Sequence, residues 1–232
     1  MAKINLETEP RFKDIMKQFG FKKTRYGFVR QGEECMMRLG FGHATNGQKF
    51  VRYYSCTYSV DFSKIEEIAQ KMGEFIFGHF GHAGYLTPNN GLLEWRLAES
   101  DTDEYYLHMI NEIKETLSLY VIPYMERFST LESFIEGIES GTIRNSFDPK
   151  AVVIAYVLLG RKEAAFHYID EYIEKQKKLD FYGKGVEIVE GEGYRRMTIY
   201  PKENKNLAIF IDFVQKMKSW MNTNDYMEHK SS

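Results

Sequence analysis

The stretch from Thr24 to Val60 constrains the fold more than any other part of this chain. Turn signals at Gly27, Gln31-Gly32 and Asn46-Gly47 cut it into short runs rich in aromatic and aliphatic residues. Apolar and polar positions alternate within the runs, the period-two pattern of a strand buried on one side. An Asn-Gly pair between two such runs is a hairpin signal, because a type I′ turn needs positive φ at both central residues. The reading is three antiparallel strands, at about 24–30, 34–44 and 48–60.

A two-residue turn also sets the register. With Thr45 opposite Gln48, Met37 faces Cys56, Leu39 faces Tyr54 and Cys35 faces Tyr58. A turn at Gln31-Gly32 places Phe28 opposite Cys35 and Tyr26 opposite Met37. The separate turns converge on one apolar face, the agreement across levels expected of a real sheet.

Helices flank this sheet. Thr8-Glu9-Pro10 opens one with Phe12, Ile15, Met16 and Phe19 at helical spacing, and Gly20 is placed to end it. Ser63 and Glu66 have capping-box spacing ahead of Ile65, Ile68, Ala69, Met72 and Ile76. A glycine-punctuated segment, residues 78–84, precedes a fourth strand in which Leu93, Trp95 and Leu97 alternate inward. Asp101 and Glu104 begin a long helix carrying Tyr106, Met109, Ile110, Ile113, Leu117 and Tyr120, which Pro123 should kink or end. Beyond it the chain turns helical, with starts at Ser129, Asp148-Pro149 and Lys162 and stops at Gly141 and Gly160. The pair around Gly160 resembles a single helix-turn-helix unit of a tetratricopeptide-type repeat, with Ala155, Ala164 and Ala165 as small packing residues. A small hairpin over 185–200 and an amphipathic helix from Leu207 to Met221 complete the chain, ahead of a loose tail beyond Asn222.

The fold class is therefore α+β: an antiparallel sheet of about four strands packed on helices, followed by a mainly helical C-terminal part. Two domains are expected, an α+β domain over 1–128 and a helical module with a small β-hairpin over 129–232. The 43% hydrophobic, 28% charged and 15% aromatic composition supplies a core and excludes a disordered or collagenous chain.

No apolar run approaches the roughly 18 residues of a membrane span, and the start lacks the apolar core of a signal peptide. With two cysteines, Cys35 and Cys56, too few for a disulfide framework, this predicts a soluble cytoplasmic protein with buried thiols. The net charge of −2 is uneven: residues 1–60 hold 11 Lys/Arg against 5 Asp/Glu, and residues 61–150 hold 7 against 16. The basic residues are scattered, which argues for solvated surface and against a nucleic-acid-binding patch.

Three groups of residues are candidates for chemistry. The same register sets Arg25 opposite Arg38 on the second sheet face, with Ser55 beyond and Tyr53 close by. Like charges opposed across strands destabilise. Such a pair is ordinarily relieved by a neighbouring carboxylate or by solvent; the alternative is an anion or an acidic partner. His79 and His82 are candidate zinc ligands with His43 or a nearby carboxylate as a third, although no Cys or acidic ligand has the accompanying spacing. Gly183-Lys184-Gly185 and Gly191-Glu192-Gly193 complete no phosphate-binding motif and read as turns, and the Lys175 to Lys178 run suits the negative end of a helix dipole. HExxH and GxSxG are absent, no cysteine has an evident base, and no cofactor is implied.

The opening block, Phe12 to Phe19, then Gly20-Phe21-Lys22-Lys23 and Tyr26-Gly27-Phe28-Val29-Arg30, resembles an uncharacterised bacterial domain-of-unknown-function family. Its members share a short helix ending in Gly-Phe-Lys-Lys, aromatic strands, and a long helix with a late proline, matched here by Pro123. The resemblance covers roughly residues 10–135; it implies bacterial origin and carries over no catalytic residue. The expected function is a non-enzymatic protein-binding module of the immunity or adaptor kind. The alternatives are an enzyme or sensor for a small anionic ligand held by Arg25 and Arg38, and nucleic-acid binding through the basic N-terminal part.

Overall fold

Arg25 and Tyr26 form the tip of a tight hairpin between β1 (Lys22–Thr24) and β2 (Gly27–Gln31), and Gly27 closes it at φ +123°. A side chain at Gly27 would strike the Leu39 carbonyl oxygen, so only glycine fits there. The computed structural model describes residues 6–45, 47–48, 50–144, 147–178, 184–191, 194–201 and 205–222. The sheet continues through β3 (Cys35–Ala44) and β4 (Val51–Phe62), all antiparallel. Beyond β4, two short strands share one lane: β5 (His79–His82) and β6 (Trp95–Ala98) each pair with β4, end to end.

The expected apolar face is present, with Cys35, Met37, Leu39, Tyr54, Cys56 and Tyr58 all buried. The partners across it differ from the sequence expectation. Met37 faces Val60, Leu39 faces Tyr58 and Cys35 faces Phe62, while Phe28 faces Leu39. Both registers are displaced by four residues, because both connections are longer than two-residue turns. Gln31 faces Met36, with Gly32 N–H bonded to the Cys35 carbonyl. Ala44 faces Tyr53, and a turn closed by Gln48 N–H on the Thr45 carbonyl lies within that loop; Asn46 is outside the described residues. Four is even, so each side chain keeps its face while its partner changes.

Helix α1 (Pro10–Gln18) starts where the Glu9 carboxylate accepts the Phe12 N–H at 2.8 Å, and Gly20 ends it at φ +79°. Phe12 meets Phe28 and Phe41 edge to face, with centroids 5.8 and 4.8 Å away, which joins the helix to the sheet. Helix α2 (Ser63–Lys71) follows β4 directly and buries Ile65, Ile68 and Ala69. Helix α3 (Asp103–Thr116) is capped by Thr102 and buries Tyr106, Met109, Ile110 and Ile113. Pro123 interrupts this run without ending it. Leu117–Val121 widens to π geometry, the Ile122 N–H reaching the Leu117 carbonyl, and α4 (Ile122–Arg127) resumes. The wider turn accommodates the donor that proline lacks. The next helix, α5 (Leu131–Glu139), is capped by Thr130 and Ser133, one residue later than the Ser129 start expected.

The chain divides into two compact units, Met1–Ala69 with Phe75–Ala151, and Gln70–Glu74 with Val152–Ser232. The division falls after the expected boundary at residue 128. The reason is that α5 belongs to the sheet core, its Phe134 lying 5.2 Å from Phe62 and 5.8 Å from His79 between ring centroids. Helix α6 (Pro149–Leu158) leads into the second unit and ends at Gly160, φ +73°. That unit also holds α7 (Lys162–Lys178), the hairpin β7 (Lys184–Gly191) and β8 (Tyr194–Pro201), and α8 (Lys205–Met221). A run of rings, Tyr156, Tyr168, Tyr172 and Phe210, links α6, α7 and α8. Lys216 anchors residues 70–74 by pairing with Glu74 at 2.7 Å. The turn residues Gly183, Glu192 and Gly193 and the tail past Asn222 lie outside the described residues. No helix among the described residues is long and apolar enough to cross a membrane.

Candidate functional site

One sheet face is the core; the other is open, and its floor is built of small residues, Gly40 and Gly42 of β3 facing Thr57 and Ser55 of β4. Across β3, β4 and β5, two rows of neighbours run side by side on the open face: Arg38, Ser59, Phe80, and then Gly40, Thr57, His82. A cavity of about 590 Å³ lies over these rows, with Tyr26 and Phe77 also on its wall. Gly40 gives the floor its depth, since a Cβ there would come within 2.9 Å of Thr57 Oγ1. The wall is aromatic and uncovered: Tyr26 is 85% exposed, Phe77 47% and Phe80 42%. Phe75, Phe77 and Phe80 form a chain of edge-to-face contacts, 4.9 and 5.9 Å between centroids. Exposed aromatics clustered at a concave site are unusual on a fully solvated surface.

The charged corner is asymmetric. Asp61 is buried, and its Oδ2 accepts from Arg38 Nε at 3.0 Å and from Ser59 Oγ at 2.9 Å, while Oδ1 faces the Gly78 N–H at 3.4 Å. The Arg38 side chain is 49% exposed, and Nη1 and Nη2 have no hydrogen-bond partner among the described residues. Burial raises the pKa of Glu66 nearby; the Asp61 charge adds to the rise and Arg38 opposes it.

At the other corner, His82 Nδ1 accepts the Gly84 N–H at 3.1 Å. That bond places the proton of the neutral ring on Nε2, which is shut off from solvent and has no partner among the described residues. Burial holds the His82 pKa below its ordinary value, with Glu94 partly offsetting it, so the neutral ring is favoured.

The four residues expected at an anion site are not gathered. Arg25 does not oppose Arg38; it sits in the β1–β2 turn with its guanidinium 5.4 Å from the Tyr26 ring centroid, while Arg38 faces Val29 and Ser59. The displaced register moves Ser55 opposite Gly42 and Tyr53 opposite Ala44, where the Tyr53 hydroxyl donates to Gln48 at 3.3 Å. Only Arg38 lines the cavity, and a carboxylate does relieve its charge, through Asp61.

His79 and His82 stand on opposite faces of β5, so they cannot share a metal. His79 is sealed in the core among Phe62, Tyr124, Phe128 and Phe134, its Nε2 3.1 Å from the Phe128 carbonyl and its Nδ1 without a partner among the described residues. Burial lowers its pKa to about 4, so the ring is neutral at physiological pH. His43 lies at the end of β3 with its ring 5.7 Å from Tyr54. No group of three His, Cys, Asp or Glu among the described residues is placed to hold a metal ion.

Phe77, Phe80, Tyr26 and Asp61 escaped the sequence reading. The signal for β5 was there: His79 and Gly81 alternate with Phe80 and His82, and the glycines serve close packing. Gly81 makes room for the Tyr58 ring, since a Cβ would lie 2.8 Å from its hydroxyl. Comparison with protein-family models, curated proteins and solved structures finds no match to this chain.

Proposed function

We propose that this chain is a cytoplasmic, non-enzymatic binding protein of the immunity or adaptor kind, which docks a segment of another protein on the open face of its sheet. The observation that carries this reading is the exposed aromatic wall of Phe77, Phe80 and Tyr26 around a concave floor of Gly40 and Thr57. Aromatic anchors around a recess are the form that interface hot spots take. The two thiols are not among the residues that line it. Both thiols are free and buried, burial pushing Cys35 up to about 11 and Cys56 further, so neither supplies a thiolate at neutral pH. The test is a random dodecapeptide display library panned on the wild type and counter-selected on the Phe77→Ser/Phe80→Ser double variant. Enrichment of sequences that need the two phenylalanines supports the reading; its absence, with both proteins folded, overturns it.

A second reading, a sensor for a small anionic ligand, is favoured by the cavity volume of about 590 Å³, within the range of small-molecule sites. A free aromatic carboxylate at about 100 times its dissociation constant would then stabilise the wild type by roughly 2.7 kcal/mol in thermal unfolding.

A further inference from the structure

We infer that the cavity on the open face selects a peptide segment in which an aromatic side chain is accompanied by a carboxylate; the inference rests on the proposed docking of a protein segment. The floor and walls choose the aromatic part. Gly40 and Thr57 leave a shallow platform of small atoms, and Phe80 and Tyr26 rise beside it, so a flat ring gains stacking contacts that an aliphatic chain cannot.

The Arg38 corner chooses the charge. Arg38 is held in place by Asp61 through Nε alone, which leaves the two Nη groups as a planar pair of donors matched to a carboxylate. Across the cavity His82 lines the wall with a neutral ring whose Nε2 is closed to solvent, so it adds no charge there. From strand spacing and rise, the Cα atoms of Arg38 and His82 stand roughly 12 Å apart on the diagonal. A ring with a carboxylate at its Arg38 side spans that distance. Arg38 is the charged donor at the open corner, so a segment offering lysine or arginine beside its ring meets it with like charge.

The test is fluorescence anisotropy with three labelled hexapeptides: tryptophan flanked by two aspartates, by two asparagines, and by two lysines. The aspartate peptide should bind the wild type at least tenfold more tightly than the asparagine peptide, and the lysine peptide should not bind. Arg38→Gln should erase the difference between the aspartate and asparagine peptides, with its unfolding midpoint checked to show an intact fold. Equal affinity for the first two peptides, or no binding of the aspartate peptide, overturns the inference while leaving protein docking to be judged by display. Indole-3-acetate competing as well as the aspartate peptide would assign the same chemistry to a free ligand and overturn the peptide occupant. Tighter binding of single-stranded oligonucleotides, falling steeply with salt, would overturn it in favour of nucleic acid.

Discussion

His79 stacks on Phe134 with ring centroids 5.8 Å apart and planes 14° from parallel, a contact that joins β5 to α5 across the core of the first unit. The ring is fully buried, so its protonation is coupled to folding. Its folded pKa, about 4, lies below the ordinary 6.5. The unfolded chain therefore binds the extra proton first as pH falls. Stability associated with the neutral ring is complete above pH 6.5 and is lost as pH drops toward 4, by about 3 kcal/mol in all. Urea unfolding of the wild type and His79→Phe at several pH values measures this. The variant should lose most of the slope between pH 6.5 and 4, and an unchanged slope would place the titration elsewhere.

Asp61 and Arg38 should respond unequally to mutation. Asp61→Ala leaves Arg38, Ser59 and the Gly78 N–H without their shared acceptor, and should cost about 2–3 kcal/mol in denaturant unfolding. Arg38→Gln removes a half-exposed partner and should cost under about 1 kcal/mol. Equal costs would mean that Asp61 does not depend on burial for its effect.

Two glycines, Gly78 just before β5 and Gly42 within β3, test the geometry of the sheet. A Cβ at Gly78 would collide with the Val60 carbonyl, while one at Gly42 would meet nothing closer than Ser55 Oγ at 3.9 Å. Gly78→Ala should therefore lower stability by about 1–3 kcal/mol, and Gly42→Ala should stay within about 0.5 kcal/mol of the wild type. Thermal unfolding of the two variants side by side decides it.

Phe12→Ala should be among the costliest single changes in α1, about 3–5 kcal/mol, because the ring is fully buried against Phe28 and Phe41. A midpoint near that of the wild type would show that the helix is not fastened to the sheet through this residue.

Local patterns made the elements legible, and loop length hid the pairing. Alternation at Cys35, Met37 and Leu39 identified the buried face, because side-chain parity is a property of the strand itself. Which residue lies opposite Met37 depends on how many residues the connection spends, and Asn46-Gly47 suggested a tighter turn than the one between Ala44 and Tyr53. The tighter turn assumed at Gln31-Gly32 carried the same error to the site, setting Arg25 against Arg38 where Val29 lies, with Ser55 beyond where Ser59 lies. Asp61 was invisible for a related reason: its value comes from burial beside Arg38, and an acidic residue at a strand end looks solvent-exposed in sequence. The Phe77 and Phe80 wall was hidden because Gly78 and Gly81 read as loop punctuation, although each lets two pieces of the sheet approach closely.

The two free thiols form a built-in clock. Cys35 in β3 and Cys56 in β4 are both inaccessible in the native sheet, and neither ionises readily there. A thiol reagent consequently reacts only during moments when the strands part, so the labelling rate counts openings of the sheet. Each thiol reports its own strand, and the ratio of their rates tells whether β3 and β4 separate from the core together or one at a time.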